Sequence, residues 1–204
     1  MATRILLLPE NAAYPATNFP QFKYDAQRRP VLSYDTATSE TAYWTAVIPQ
    51  GWTGTVVAVI SYKMASATSG GVAFDIAVEA VTSGDAVDLD AGTSWDTVNA
   101  GNDAAVPGTA GYMEQLSITL TNLDSAAEAD YVRFSVARDV ADGADTAAGV
   151  YFLTLTANNE NASLTETIKM LKLKIIPPGR IMFVPAFVVL AVRAEQTRVF
   201  QRLW

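Results

Sequence analysis

The side chains that ordinarily carry chemistry are few in this chain, and their pattern is informative mostly through what it omits. Neither histidine nor cysteine occurs among the 204 residues. That removes the commonest general base, the commonest zinc ligand, thiolate metal sites, disulfides and every Ser-His or Cys-His nucleophile arrangement together. Carboxylates, lysines and tyrosines remain. Asp75 and Glu79 are carboxylates of the kind a glycosidase pairs, yet no other catalytic feature accompanies them, and they read as surface charge on the wet face of a strand. Asp85, Asp88 and Asp90 invite a calcium reading. The alternating oxygen ligands, glycine and distal glutamate of a helix-loop-helix site are missing, so they read as a solvated acidic loop. Gly70 and Gly71 follow a strand without the Gly-Lys-Ser/Thr of a phosphate loop and read as turn residues. The expectation is a protein that is not an enzyme and uses no cofactor and no metal.

Charge is unevenly distributed. From Glu160 to Trp204 three acidic residues stand against seven basic ones, leaving −11 on the first 159 residues of a chain whose net charge is −7. A basic tail on an acidic body suggests a contact with an acidic surface, on a partner or a neighbouring copy; the plainer alternative is the solvated face of a strand. The acidic body disfavours nucleic acid, because backbone affinity requires neutralising phosphates. No membrane segment is indicated. The apolar run Ile181 to Val192 is 12 residues long and contains Pro185, whereas a spanning helix needs about 20. The opening MATRILLLPE lacks the apolar length and cleavage site of a signal peptide.

The elements that must position these residues are β-strands. Apolar and small polar residues alternate in Tyr43 to Ile48, Thr55 to Tyr62 and Val72 to Val81, and again in Tyr112 to Leu120, Tyr131 to Arg138 and Val150 to Ala157. A short strand, Val31 to Asp35, precedes them. The gaps are rich in Gly, Pro, Asn, Asp and Ser. Thr82 to Gly111 is the longest weakly patterned segment, with a possible short element around Trp95. Some seven strands with no convincing amphipathic helix predict an all-β, antiparallel, jelly-roll-like sandwich at residues 31–158. An extended arm at 1–30 precedes it, and a basic, apolar extension at 159–204 follows it.

Both flanking segments look made for contact. Three prolines, Pro9, Pro15 and Pro20, keep the arm extended and Tyr14, Phe19, Phe22 and Tyr24 stud it, so it lies in a groove of its own domain or of a partner. In the extension, Ile168 to Ile176 and Ile181 to Arg193 flank Pro177-Pro178-Gly179-Arg180 and fit a hairpin, although Leu164 to Leu173 also fits a short helix. The hairpin's second arm is too apolar to leave in water. The expected partner and oligomer contacts are Tyr14, Phe19, Phe22, Lys172, Lys174, Phe183, Phe187, Phe200 and Trp204.

Three phrases carry a resemblance: SYDTATSETAYWTAVIPQGWTG, then SYKMASATSGGVAFDIAVEAV, then SITLTNLDSAAEADYVRFSVARDVADGADTAAGVYFL. With the Tyr14 to Pro20 opening, they resemble small virion structural proteins of tailed bacteriophages over about Tyr14 to Ala157. The shared features are an acidic residue before Tyr43-Trp44, the Met64 to Gly70 phrase and the Arg138 to Thr146 loop. The resemblance implies an architectural role in the virion, assembled in the bacterial host cytoplasm. One form is a capsid decoration (cement) protein, trimeric by expectation, that binds the major capsid protein or other virion proteins and stabilises the head shell. The alternative is a tail or tail-fibre component with a receptor- or glycan-binding β-sandwich.

Overall fold

A computed structural model describes residues 3–90 and 94–160. The chain divides into two compact units, Met1–Ala162 and Ser163–Trp204, and every described residue belongs to the first. The expected C-terminal hairpin lies outside the described residues, and with it Lys172, Lys174, Phe183, Phe187, Phe200 and Trp204.

Among the described residues ten strands follow one another: β1 Thr3–Leu7, β2 Gln21–Tyr24, β3 Pro30–Tyr34, β4 Thr41–Val47, β5 Thr55–Met64, β6 Val72–Val81, β7 Asn99–Asp103, β8 Met113–Leu120, β9 Tyr131–Arg138 and β10 Val150–Glu160. They form two antiparallel sheets. One is six-stranded in the order β2-β3-β10-β5-β8 with β1 also paired to β10, and the other runs β4-β9-β6-β7. The chain is an all-β antiparallel sandwich, as its alternation predicts. Leu32, Ile60, Tyr62, Leu155 and Phe152 of the first sheet and Trp44, Phe74, Ile76 and Phe134 of the second are the bulk of the buried core. Every second residue of a strand faces the same side, and a register shift between Phe152 and Thr154 resets that alternation in β10, so that both Phe152 and Leu155 face inward.

The arm is built into the sandwich. Its β1 pairs with β10, placing Ile5 and Leu7 opposite Ala157 and Leu155. Ala13 then makes an isolated bridge to Tyr43 on the free edge of β4. The arm therefore spans both sheets and covers an edge that would otherwise expose unpaired backbone groups. Trp44 locks the crossing by donating its indole N–H to Leu8 O at 2.8 Å.

β2 and β7 are strands that the residue pattern does not show. β7 reads Asn-Ala-Gly-Asn-Asp, composed of residues that avoid strands, and forms because β6 offers it an edge and because Gly101 fits where little else would. A Cβ at 101 would lie 2.5 Å from Ile118 Cγ1. Asn99 then ties the two sheets together: its Nδ2 donates to Ile76 O and Asn122 O, and its Oδ1 accepts from Thr121 N and Asn122 N.

The phrases at Met64–Gly70 and Arg138–Thr146 meet at one end of the sandwich. There Arg138 and Asp145 form a bidentate ion pair, Nη2 to Oδ1 at 2.6 Å and Nε to Oδ2 at 2.9 Å, with side chains 1% and 2% exposed. Arg138 also donates to Asp35 O at 3.0 Å and to Ala147 O. Gly71 N–H donates to Thr146 Oγ1 at 2.9 Å, and a Cβ at 71 would meet Ala144 O at 2.5 Å and Asp103 O at 2.6 Å.

Candidate functional site

A concavity lies beside this ion pair. It is a cleft of about 290 Å³ lined by Gln21, Lys23, Ser33, Tyr34, Asp35, Thr36, Glu40 and Gly149. Its wall is the β2–β3 hairpin, in which Gln21 pairs with Ser33 and Lys23 with Val31. Strand alternation puts Gln21 and Lys23 on one side and Phe22 and Tyr24 on the other. The far wall is the Asp35–Glu40 turn that connects the two sheets. Asp35 Oδ1 accepts from the N–H of Thr36 and of Ala37, and the Glu40 Oε2 closes the turn by accepting from Asp35 N–H at 2.6 Å. Arg138 holds the same turn from below through Asp35 O.

The cleft contains both signs of charge and both senses of hydrogen bond. Lys23 Nζ donates to Ser33 Oγ at 3.3 Å and retains two further protons. Burial pushes the Glu40 carboxyl above the ordinary glutamate range; the Asp35 N–H opposes this, the Asp35 carboxylate reinforces it, and the charges of Arg138 and Lys23 oppose it. Tyr34 beneath is fully buried and donates to Val136 O at 3.2 Å, and burial raises its phenol well above the usual tyrosine range.

Two exposed aromatic pairs lie on the arm and on β2. Tyr14, Phe19, Phe22 and Tyr24 are all exposed, Tyr24 to 61%. Tyr14 and Phe19 contact at 5.6 Å between centroids, and Phe22 and Tyr24 at 5.4 Å edge to face. Thr41 N–H donates to Asn18 O at 2.9 Å, which brings Phe19 to the Glu40 end of the cleft. Of the residues expected to make contacts, the structure sets Tyr14 against Phe19, whereas Phe22 packs on Tyr24 on the side of β2 away from Gln21 and Lys23. Lys23 and Glu40 had no signal of their own in the sequence.

Asp25 anchors the hairpin. Its carboxylate accepts from Lys63 Nζ at 2.6 Å, from Arg29 Nε at 2.9 Å and from the N–H groups of Gln27 and Arg29. Led by the Lys63 bond, these contacts hold the carboxyl far below the usual aspartate range.

Glu79 corrects the sequence reading: it is not ordinary surface charge. It is 4% exposed, its Oε2 accepts from Arg133 Nη1 at 2.9 Å and its Oε1 from Ser94 N–H at 2.7 Å. The cause is register, which sets Glu79 directly opposite Arg133, together with the segment around Trp95 folded over that face. Trp95 stacks on Tyr43 at 5.6 Å and 16°, and the Arg133 guanidinium lies 4.9 Å from the Trp95 ring. Trp95 thus belongs to a filled anchor rather than an open platform. Asp75, half-buried on the same face, has its carboxyl raised by burial and by the negative charges of Asp139 and Asp142. Asp85 and Asp88 accept the backbone N–H of Thr82 and Asp90 and so cap turns. Among the described residues no three acidic side chains converge into a possible metal cage.

No family model matches the chain, and no curated protein does. Among solved structures it is similar to the C-terminal CBM6 of a marine laminarinase from Zobellia galactanivorans, at 15% identity over 76% of this chain and 98% of that one, TM-score 0.45. It is also similar to a CBM35 from Cellvibrio japonicus, at 9% identity over 76% and 92% of the two chains, TM-score 0.42. A third is the CBM22-2 xylan-binding domain from Paenibacillus barcinonensis, at 9% identity over 76% and 99%, TM-score 0.43. The fold assignment rests on the strand pairing described above.

Proposed function

We propose that this chain is a non-catalytic binding module of a bacteriophage tail or tail fibre, and that its ligand is a glycan held in the cleft between β2–β3 and the Asp35–Glu40 turn. The observation that carries the reading is the cleft's mixed lining. A sugar hydroxyl donates one hydrogen bond and accepts others, so it is best held where donors and acceptors alternate within one cavity. Lys23 and the amide of Gln21 donate, Glu40 and the Gln21 carbonyl accept, and Ser33 and Thr36 do either. The volume stands at the small end of the roughly 300–1,000 Å³ of ligand pockets, which suits one or two sugar units. The exposed rings of Tyr14 and Phe19 at the rim offer the negative π-faces against which the C–H groups of a sugar pack. The placement in a virion rests on the resemblance of the three strand phrases. Calorimetric titration with a panel of oligosaccharides tests the reading: at least one binds the intact protein, and Lys23→Ala and Glu40→Gln each weaken it at least about tenfold. Binding left unchanged by both substitutions refutes the cleft.

A second reading is a capsid decoration protein, favoured by the two exposed aromatic pairs Tyr14–Phe19 and Phe22–Tyr24, which exceed what a short edge strand needs for its own packing. Here Tyr14, Phe19 and Phe22 contact the major capsid protein or a neighbouring copy in a trimer. A triple serine variant of these residues then loses particle binding while keeping the strand content of the wild type. Retention of particle binding by that variant eliminates this reading.

A further inference from the structure

We propose that the cleft selects neutral sugars and excludes anionic ones, such as uronic acids and sulfated or sialylated glycans; this rests on the glycan reading above. Two carboxylates, Asp35 and Glu40, and one ammonium, Lys23, line the cavity. The neighbouring cations are already engaged. Lys63 and Arg29 bind Asp25 at 2.6 and 2.9 Å, and Arg138 is paired with Asp145 at 2.6 Å. An incoming carboxylate or sulfate therefore meets Lys23 as the single uncommitted cation among the lining residues, with two like charges beside it.

The geometry also says how a neutral sugar is held. Glu40 Oε2 already accepts the Asp35 N–H, which fixes the carboxylate and leaves Oε1 for a hydroxyl donor, while Lys23 faces an oxygen acceptor across the cavity. A hydroxyl pair on adjacent sugar carbons satisfies both. A ligand carboxylate can satisfy only Lys23, because it has no proton to give Glu40. The ring hydroxyls that an acid sugar retains still satisfy both groups, so the discrimination comes from the like charge of Asp35 and Glu40 against its carboxylate.

The test uses the full chain and four neutral trisaccharides: cellotriose, maltotriose, mannotriose and galactotriose. Each is titrated against its counterpart oxidised to the carboxylate at every C6, at low and at high salt. The expected result is that at least one neutral trisaccharide binds and its acid counterpart binds at least about tenfold more weakly, a factor corresponding to about 1.4 kcal/mol. The gap narrows as salt screens the carboxylates. Asp35→Asn, which retains the turn-capping oxygen, narrows it at low salt without abolishing neutral binding. A counterpart that binds as tightly as the neutral sugar overturns the selectivity while leaving the cleft reading standing. No binding by any of the eight overturns both.

Discussion

Replacing Arg138 with methionine tests what holds the cleft end of the sandwich together. The guanidinium is 1% exposed and donates to both oxygens of Asp145, to Asp35 O and to Ala147 O. Methionine fills much of the volume but supplies none of these donors. Asp145 is then left as a buried carboxylate whose described remaining donor is Ala73 N–H at 3.0 Å. Breaking a buried pair by removing one partner costs about 3–5 kcal/mol, a large share of the roughly 5–15 kcal/mol that stabilises a domain. For a domain of this size that is a fall in Tm of about 6–20 °C. Urea unfolding followed by tryptophan fluorescence gives the free energy directly, with an unchanged slope if the denatured state is unaffected. The double variant R138M/D145L removes the stranded charge and adds the orphaned Ala73 N–H, worth about 1–3 kcal/mol, to the Asp35 and Ala147 carbonyls that both variants orphan, so it is no less stable than R138M alone. Glycan affinity falls in both, because Asp35 loses its support. A cost below about 1 kcal/mol for R138M, or strictly additive costs in the double variant, refutes the assignment of this pair as the lock.

Other outcomes follow from the same physical reasoning. Trp95→Ala loses an aromatic stack and a cation–π contact, about 1–2.5 kcal/mol together beyond the area uncovered, read as a lower midpoint in chemical denaturation. Gly71→Ala drives a methyl group into Ala144 O and Asp103 O and destabilises by about 1–3 kcal/mol, read as a shift in the denaturation midpoint. The Glu40 carboxyl is raised in the folded protein, so its contribution to stability is present at low pH and lost as pH rises through the folded value. Ligand affinity moves the opposite way: it increases as pH rises through that range, and Glu40→Gln abolishes the pH dependence measured by titration. Asn159 is fully buried and neither of its side-chain polar atoms has a partner among the described residues; Asn159→Leu, close in shape, raises the midpoint, since an unsatisfied polar group costs about 1–3 kcal/mol.

Much of the fold is legible in the sequence, because residues of β5, β6, β9 and β10 alternate between a buried and a wetter face, most clearly in β6 and β9, where Phe74, Ile76, Val78, Val132, Phe134 and Val136 face inward. Those strands are visible from period alone. β7 is not, since Asn99, Gly101 and Asp103 argue against a strand and only the edge of β6 and the close approach to Ile118 make one. β2 is hidden for a different reason: four residues between Pro20 and the Asp25–Arg29 turn are too few to show a period. Glu79 shows the limit for side chains, because its burial follows from facing Arg133 across the β6–β9 register, and register is a property of two strands that no single one displays. The cleft is equally non-local. Gln21, Lys23, Ser33, Asp35, Thr36, Glu40 and Gly149 form no motif, and each is ordinary in its own neighbourhood. Tyr14, Phe19 and Phe22 could be singled out because aromatics in a proline-rich segment rarely have a core to enter, and all three are exposed. The phrases at Met64–Gly70 and Arg138–Thr146, which carry the resemblance to virion proteins, turn out to be the packing of one sandwich end.

The central claim is that the cleft beside β2 and β3 is where this protein takes its ligand. Backbone amide shifts recorded while titrating the intact protein with a bound trisaccharide test it most directly. The account predicts that the perturbed resonances cluster at Gln21, Lys23, Ser33, Thr36, Glu40 and Gly149, with side effects at Phe19. Shifts centred instead on the outer face of β4 and β9, around Thr45 and Tyr131, with the cleft amides unmoved, contradict it.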